Sequence, residues 1–272
     1  MKEHSGMIAG ELFYRSWVPD APKAAVLLVH GLAEHVGRYE YVSQKLTDAN
    51  YAVFAIDHVG HGQSAGTRCY VHSFDDYLDG VDALYMHMRK DHVDLPVVIL
   101  GHSMGGLIAA SSVLRDPERY RALVLSGPAI VPPAEPPWLQ KFIVRLLSKY
   151  APKQGVLQLD ASAISRDQSV VDAYNHDALV FSGKVTARLA SELFDAMGLL
   201  QDRAGDLTLP LLLMHGSQDR LTAPAGSALL HDRATSTDKT LRMWDGLYHE
   251  IFNEPERDDV IGLMVVWLNA RM

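Results

Sequence analysis

Val97-Val98-Ile99-Leu100-Gly101-His102-Ser103-Met104-Gly105-Gly106-Leu107-Ile108-Ala109-Ala110 joins an apolar run to a helical pattern through one turn of small residues. Ser103 stands in a G-x-S-x-G frame between Gly101 and Gly105. That context predicts a nucleophile elbow, a sharp strand-to-helix turn that lifts a serine hydroxyl clear of a sheet edge. The glycines are needed because the strand and helix backbones pass too closely for Cβ atoms. The helix start supplies free N–H groups and the positive end of a dipole, both suited to an anionic intermediate. The frame alone arises by chance in many chains. Its placement between Val97–Leu100 and Leu107–Leu114 makes it specific.

The flanking sequence repeats the same alternation. Ala24–Val29, Tyr51–Ile56, Ala122–Gly127 and Leu211–Met214 read as strands buried on both faces, and Thr240–Trp244 as a further strand. Helices are predicted over Arg38–Ala49, Phe74–Asp91, Ala223–Arg233 and Glu256–Ala270. Glu11–Val18, after a turn at Ala9-Gly10, predicts an N-terminal antiparallel pair. The fold class is therefore α/β, a mostly parallel sheet of about eight strands flanked by helices. The alternation breaks between Pro128 and Leu207, where prolines 128, 132, 133, 136 and 137 lead into helical segments with no buried strand. A core of residues 1–127 and 208–272 is expected, with a helical cap of residues 128–207 inserted above the C-terminal strand ends and the prolines as its hinge.

A chain of 272 residues, 48% hydrophobic, suffices for one elaborated domain of this kind. The net charge of −8 argues against a nucleic-acid partner. One cysteine, Cys69, cannot form an internal disulfide, which suits a reducing compartment. The polar start Met1–Gly6 lacks a signal-peptide core, and the apolar stretches Leu209–Met214 and Ile261–Leu268 fall short of the ~18 residues of a membrane span. A soluble, cytoplasmic protein is expected. Trp138–Tyr150 is amphipathic: Leu139, Phe142, Ile143, Leu146, Leu147 and Tyr150 recur at helical spacing beside a basic row of Lys141, Arg145 and Lys149. Its leading expectation is a helix packed on the core with its charges in solvent. The second is transient contact of the cap with a lipid surface, giving peripheral membrane association.

A serine hydroxyl needs a histidine base oriented by a carboxylate. In a sheet built around a G-x-S-x-G elbow these follow in the order serine, acid, histidine. Asp219 is the only carboxylate in His215–Asp219, the turn after Leu211–Met214. His249 is the only histidine, of thirteen in the chain, in the loop after Thr240–Trp244. Ser103, Asp219 and His249 are the candidate catalytic residues. The oxyanion hole is expected from the backbone amides of Met104 and Leu32, the latter swung inward by the turn at Gly31.

The segments His30–Tyr39, Asp57–Ser64 and Gly101–Gly106, together with Ser165-Arg166, Asp172–Asn175 and Asp238–Leu241, resemble the monoacylglycerol lipases of the α/β-hydrolase fold. The resemblance runs from about Glu11 to the closing helix and is weakest over Val131–Pro152. It implies cleavage of the ester between a fatty acyl chain and glycerol, through an acyl-enzyme and with no cofactor. It also maps the glycerol headgroup site onto Glu34, Arg38, His102 and Tyr174, residues that offer both donors and acceptors. Glu34 and Arg38 also stand at i, i+4, the spacing of a pair that braces a loop. Where the family carries alanine and then glycine in the first oxyanion loop, this chain has Leu32 and Ala33.

Other uses of these motifs are weaker. Asp57-His58-x-x-His61 reads as a glycine turn, with no third ligand for a metal. Gly101–Gly106 lacks the Gly-Lys ending of a phosphate loop. Cys69 reads as an ordinary loop thiol. The alternatives to a monoacylglycerol lipase are a broader carboxylesterase or lysophospholipase, an acyltransferase, and a non-catalytic ligand-binding protein of the same fold. A complete triad argues against the last.

Overall fold

The apolar runs on either side of Gly101 form adjacent strands of one sheet. A computed structural model describes residues 2–134 and 137–272; Pro136, one of the prolines assigned to the hinge, lies outside the described residues. The strands are β1 (Lys2–Ile8), β2 (Leu12–Val18), β3 (Ala24–Val29), β4 (Tyr51–Ile56), β5 (Val97–His102), β6 (Ala122–Ser126), β7 (Gly155–Leu157), β8 (Val185–Thr186), β9 (Leu211–Gly216) and β10 (Lys239–Trp244). The helices are α1 (Glu40–Asp48), α2 (Asp75–Arg89), α3 (Met104–Arg115), α4 (Trp138–Tyr150), α5 (Gln168–His176), α6 (Ala187–Asp202), α7 (Pro224–Arg233) and α8 (Arg257–Asn269).

Eight strands form the main sheet in the order β1-β2-β4-β3-β5-β6-β9-β10. The β1–β2 and β2–β4 pairs are antiparallel and the rest parallel. This is the α/β-hydrolase fold. Every residue of β3, β4, β5, β6 and β9 is buried, as continuous apolar runs require of strands covered on both faces. Successive side chains alternate between the two faces. Leu27, Val29, Ile99 and Leu125 pack under α2, α3 and α6, while Val26, Leu28, Val98 and Val124 pack over α1 and α8. Each fully buried Leu, Ile or Val of this kind contributes about 1.5–3 kcal/mol relative to exposure.

Between Ser126 and Leu211 the chain leaves the sheet and forms α4, β7, α5, β8 and α6. The expectation that this insertion holds no buried strand is corrected by β8, whose two residues are both buried and pair antiparallel with β7. Two residues are too few to produce a readable alternation. The insertion is tied to the sheet's loops by Thr186 Oγ1, which donates to Cys69 O at 2.6 Å, and by Phe181 N, which donates to Ala33 O at 2.9 Å. Cys69, a free thiol, is buried in its loop.

The orientation of α4 is a second correction. Val144 and Ser148 are its buried residues, and Arg145 reaches Asp195 of α6 at 2.8 Å. The apolar stripe points outward: Trp138 is 78% exposed, Phe142 56% and Tyr150 71%, with Leu139, Ile143 and Leu146 also exposed. Helical spacing reveals that an apolar face exists, but the packing partner decides which way it turns. Among the described residues, no helix is long and apolar enough to cross a membrane.

Candidate active site

Ser103 sits at the start of α3 with φ 55° and ψ −121°, a left-handed backbone that costs a non-glycine residue energy. The surrounding glycines permit it. A Cβ on Gly101 would lie 2.2 Å from Gly105 O, and one on Gly105 would lie 2.1 Å from Val29 O. The elbow is thus pressed against the end of β3, where the loop bearing Leu32 begins. Neither the Leu32 nor the Met104 amide donates to a backbone carbonyl among the described residues, so both are free to serve an oxyanion. Ala33 takes φ 66° where glycine is the unstrained choice.

Asp219 lies in the turn after β9. Its Oδ1 accepts the backbone N–H groups of Leu221 at 2.8 Å and Thr222 at 3.0 Å. Its Oδ2 accepts His249 Nδ1 at 2.7 Å and Thr222 Oγ1 at 2.9 Å, and lies 3.0 Å from His215 Nε2, which is also 3.3 Å from Thr222 Oγ1. Burial pushes the carboxyl pKa up, but the two histidines more than offset this and hold it below the ordinary aspartate value. Burial pushes His249 down, and the charge and hydrogen bond of Asp219 reverse that, leaving His249 above its usual 6.5. Because Nδ1 faces the carboxylate, Nε2 is left as the lone-pair nitrogen, the form a general base requires. A base must be neutral to act, so kcat/KM is expected to fall as pH drops through a value above 6.5, measurable as the acid limb of its pH profile.

Ser103 and His249 line one cavity of about 420 Å³. Its apolar lining includes Val144, Val156, Leu159, Leu193, Phe194 and Met197, all from the insertion. Its polar lining includes Glu34, His102, Tyr174 and Glu250. His102 stacks obliquely on His249 at 4.7 Å, and burial, then the neighbouring His249, lowers its pKa to about 3. It is therefore a neutral hydrogen-bonding group near neutral pH.

Of the four residues expected at the headgroup, Glu34, His102 and Tyr174 reach this cavity and Arg38 is not part of its lining. Its guanidinium is occupied: it meets Glu250 through two bonds of 2.6 and 2.7 Å and Glu34 at 2.7 Å, and lies 4.7 Å from the Tyr174 ring centre. Arg38 instead faces a second cavity of about 450 Å³ with His35, Gly37, Asp177 and Asn253. The i, i+4 bracing pair is present, joined by a second carboxylate from a distant loop. Glu34 Oε1 also accepts Gly31 N at 2.6 Å and Tyr39 Oη at 2.6 Å, tethering the loop that carries Leu32.

Three neighbours were not anticipated from sequence: Glu250, His215 and Thr222. Glu250 had a usable signal, a carboxylate immediately after the candidate histidine. His58 and His61 pack against the His30 ring at 4.2 and 5.5 Å, and Asp57 accepts Val36 N and Gln63 N, so this segment buttresses the loop after β3.

The chain matches the family profile described as serine aminopeptidase S33 (Hydrolase_4) over residues 20–256. It is 42% identical to a monoacylglycerol lipase of Mycolicibacterium smegmatis, over 99% of this chain and 98% of that one. It is 36% identical to the monoglyceride lipase of Rattus norvegicus, over 96% of this chain and 88% of the relative. The crystal structure of Paleococcus ferrophilus monoacylglycerol lipase superposes with a TM-score of 0.88 at 29% identity, covering 96% of this chain and all of that one. With its eight-stranded sheet, elbow and inserted helices, the chain belongs to the monoacylglycerol lipase family of the α/β-hydrolase fold.

Proposed function

We propose that the protein hydrolyses monoacylglycerols to fatty acid and glycerol, with Ser103 as nucleophile, His249 as general base and acid, and Asp219 as its orienting carboxylate. The observation that carries this is the buried Asp219–His249 pair, 2.7 Å apart, lining with the serine elbow a cavity that has both apolar and polar walls. The acyl chain lies against Val156, Leu193 and Met197, under a cap formed by residues 128–207 over a core of 1–127 and 208–272. Ser103 attacks the ester carbonyl while His249 Nε2 takes its proton, and the Leu32 and Met104 amides hold the oxyanion. His249 then protonates the departing glycerol, whose hydroxyls meet Glu34, His102 and Tyr174. Water, deprotonated by the same nitrogen, releases the fatty acid. Arg38 acts on this site through Glu34 and Glu250.

A panel of monoacylglycerols, p-nitrophenyl esters and lysophospholipids of matched chain length tests the reading. Monoacylglycerols are expected to give the highest kcat/KM; preference for lysophospholipids would replace it with the lysophospholipase alternative. Diacylglycerol, formed when a second monoacylglycerol instead of water takes the acyl group from Ser103, reports any acyltransferase activity in the same reactions.

The exposed stripe of α4 supports docking on a lipid surface by a cytoplasmic enzyme. Trp138, Phe142 and Tyr150 enter the interface, and Lys141, Arg145 and Lys149 supply a local positive charge on a chain of net charge −8. Juxtamembrane basic residues contribute about 1 kcal/mol each toward anionic lipid, so reversing all three charges is expected to weaken vesicle binding by about a hundredfold or more. Flotation with anionic liposomes checks this. Equal binding of native and charge-reversed protein contradicts it.

A further inference from the structure

Asp219 is held by a second histidine that the chemistry above does not use. His215, the penultimate residue of β9, is fully buried, with Nε2 3.0 Å from Asp219 Oδ2 and Nδ1 2.7 Å from Ser227 Oγ in α7. A carboxylate oxygen only accepts, so Nε2 carries a hydrogen, and Nδ1 then accepts from the Ser227 hydroxyl. The same Oδ2 takes His249 Nδ1 at 2.7 Å. We infer that His215 is a positioning residue for the triad acid, a donor that holds Oδ2 against His249 and draws off part of its charge. It has this part only if Asp219 and His249 are the acid and base proposed above.

The consequence is electrostatic as well as geometric. A donor on a carboxylate lowers its basicity, so Asp219 binds the His249 proton less strongly with His215 in place than without it. The other ionisable groups acting on His249 are Glu250 on its own loop, His102 at the end of β5 and Glu34 after β3, while Arg38 acts on His102. They keep their own partners when His215 is changed. The Ser227 hydroxyl, able to donate, accommodates that tautomer, and the Leu221 and Thr222 amides secure the opposite oxygen. Asp219 therefore has little freedom to rotate away.

His215→Leu removes the donor at similar volume, and His215→Gln retains an N–H group that can reach Asp219. In His215→Leu the acid limb of kcat/KM is expected to move to higher pH by about half a unit to one unit. Its kcat is expected to fall roughly tenfold as the acid loses its fixed orientation. His215→Gln is expected to return the limb to its wild-type position. A residue that merely fills space would lower the melting temperature in His215→Leu and leave the limb unmoved; that result, or an equal shift in both variants, overturns the inference. Should His215→Leu fail to fold, ¹⁵N NMR of the wild-type imidazoles decides. His215 is expected protonated at Nε2 and bare at Nδ1, and the opposite tautomer overturns the inference. Turnover surviving in Ser103→Ala would overturn the triad itself, whereas an unmoved limb with Ser103→Ala inactive overturns only the part given to His215.

Discussion

Asp219→Asn is expected to lower kcat/KM by about ten-thousand-fold while leaving the fold intact, the scale set by acid-to-amide exchange in a serine triad. The reason lies in how many donors surround this carboxylate. The Leu221 and Thr222 amides require an acceptor at the Oδ1 position, so the asparagine oxygen must sit there. The NH₂ group then takes the place of Oδ2, facing His249 Nδ1 and His215 Nε2. Two donors cannot face each other, and His249 must move its proton to Nε2. The nitrogen that should receive the Ser103 proton then already carries one. Kinetics on a monoacylglycerol, with circular dichroism to confirm folding, check the result. A loss below about tenfold would show that Asp219 neither orients His249 nor sets its tautomer.

Arg38→Met is expected to destabilise the protein by about 3–5 kcal/mol, the range for removing one partner of a buried ion cluster. The side chains of Arg38, Glu34 and Glu250 are 10%, 4% and 6% exposed. Without the guanidinium two carboxylates remain buried side by side. Burial already pushes the Glu34 pKa up, although Arg38 opposes it, so removing Arg38 raises it further. A folded carboxyl with a raised pKa binds protons more tightly than its unfolded counterpart, so acidification stabilises the variant relative to wild type. The deficit should therefore narrow as pH falls. Urea unfolding at two pH values measures both effects. A deficit below about 1 kcal/mol, or one that widens on acidification, would contradict a buried cluster organised around Arg38. Activity should fall as well, because Glu34 tethers Gly31 N, next to the Leu32 amide.

How far the fold and site could be read in advance depended on the length over which each feature is encoded. Ser103, Asp219 and His249 were legible because each follows a buried strand in a fixed order, and that order is linear information. The sheet was legible for a similar reason, since five fully buried strands are continuous apolar runs. Val185–Thr186 was not, because a two-residue strand carries no period. The outward face of α4 was not, since Lys141, Arg145 and Lys149 mark a polar face without saying what Val144 would pack against. The Arg38–Glu250 pair is not legible because Glu250 stands 212 residues away along the chain, and only the folded sheet brings the β3 and β10 loops together. His215 is not legible for a similar reason: its role depends on Ser227 in the following helix and on the direction in which Asp219 turns.

Activation of Ser103 as the nucleophile of this cavity is tested most directly by intact-protein and peptide mass spectrometry after treatment with an alkyl fluorophosphonate, with and without competing monoacylglycerol. One adduct is predicted, on the peptide containing Ser103, slowed by monoacylglycerol and absent from Ser103→Ala. Labelling of Ser103→Ala at the wild-type rate, or no adduct on the folded native protein, would contradict the account.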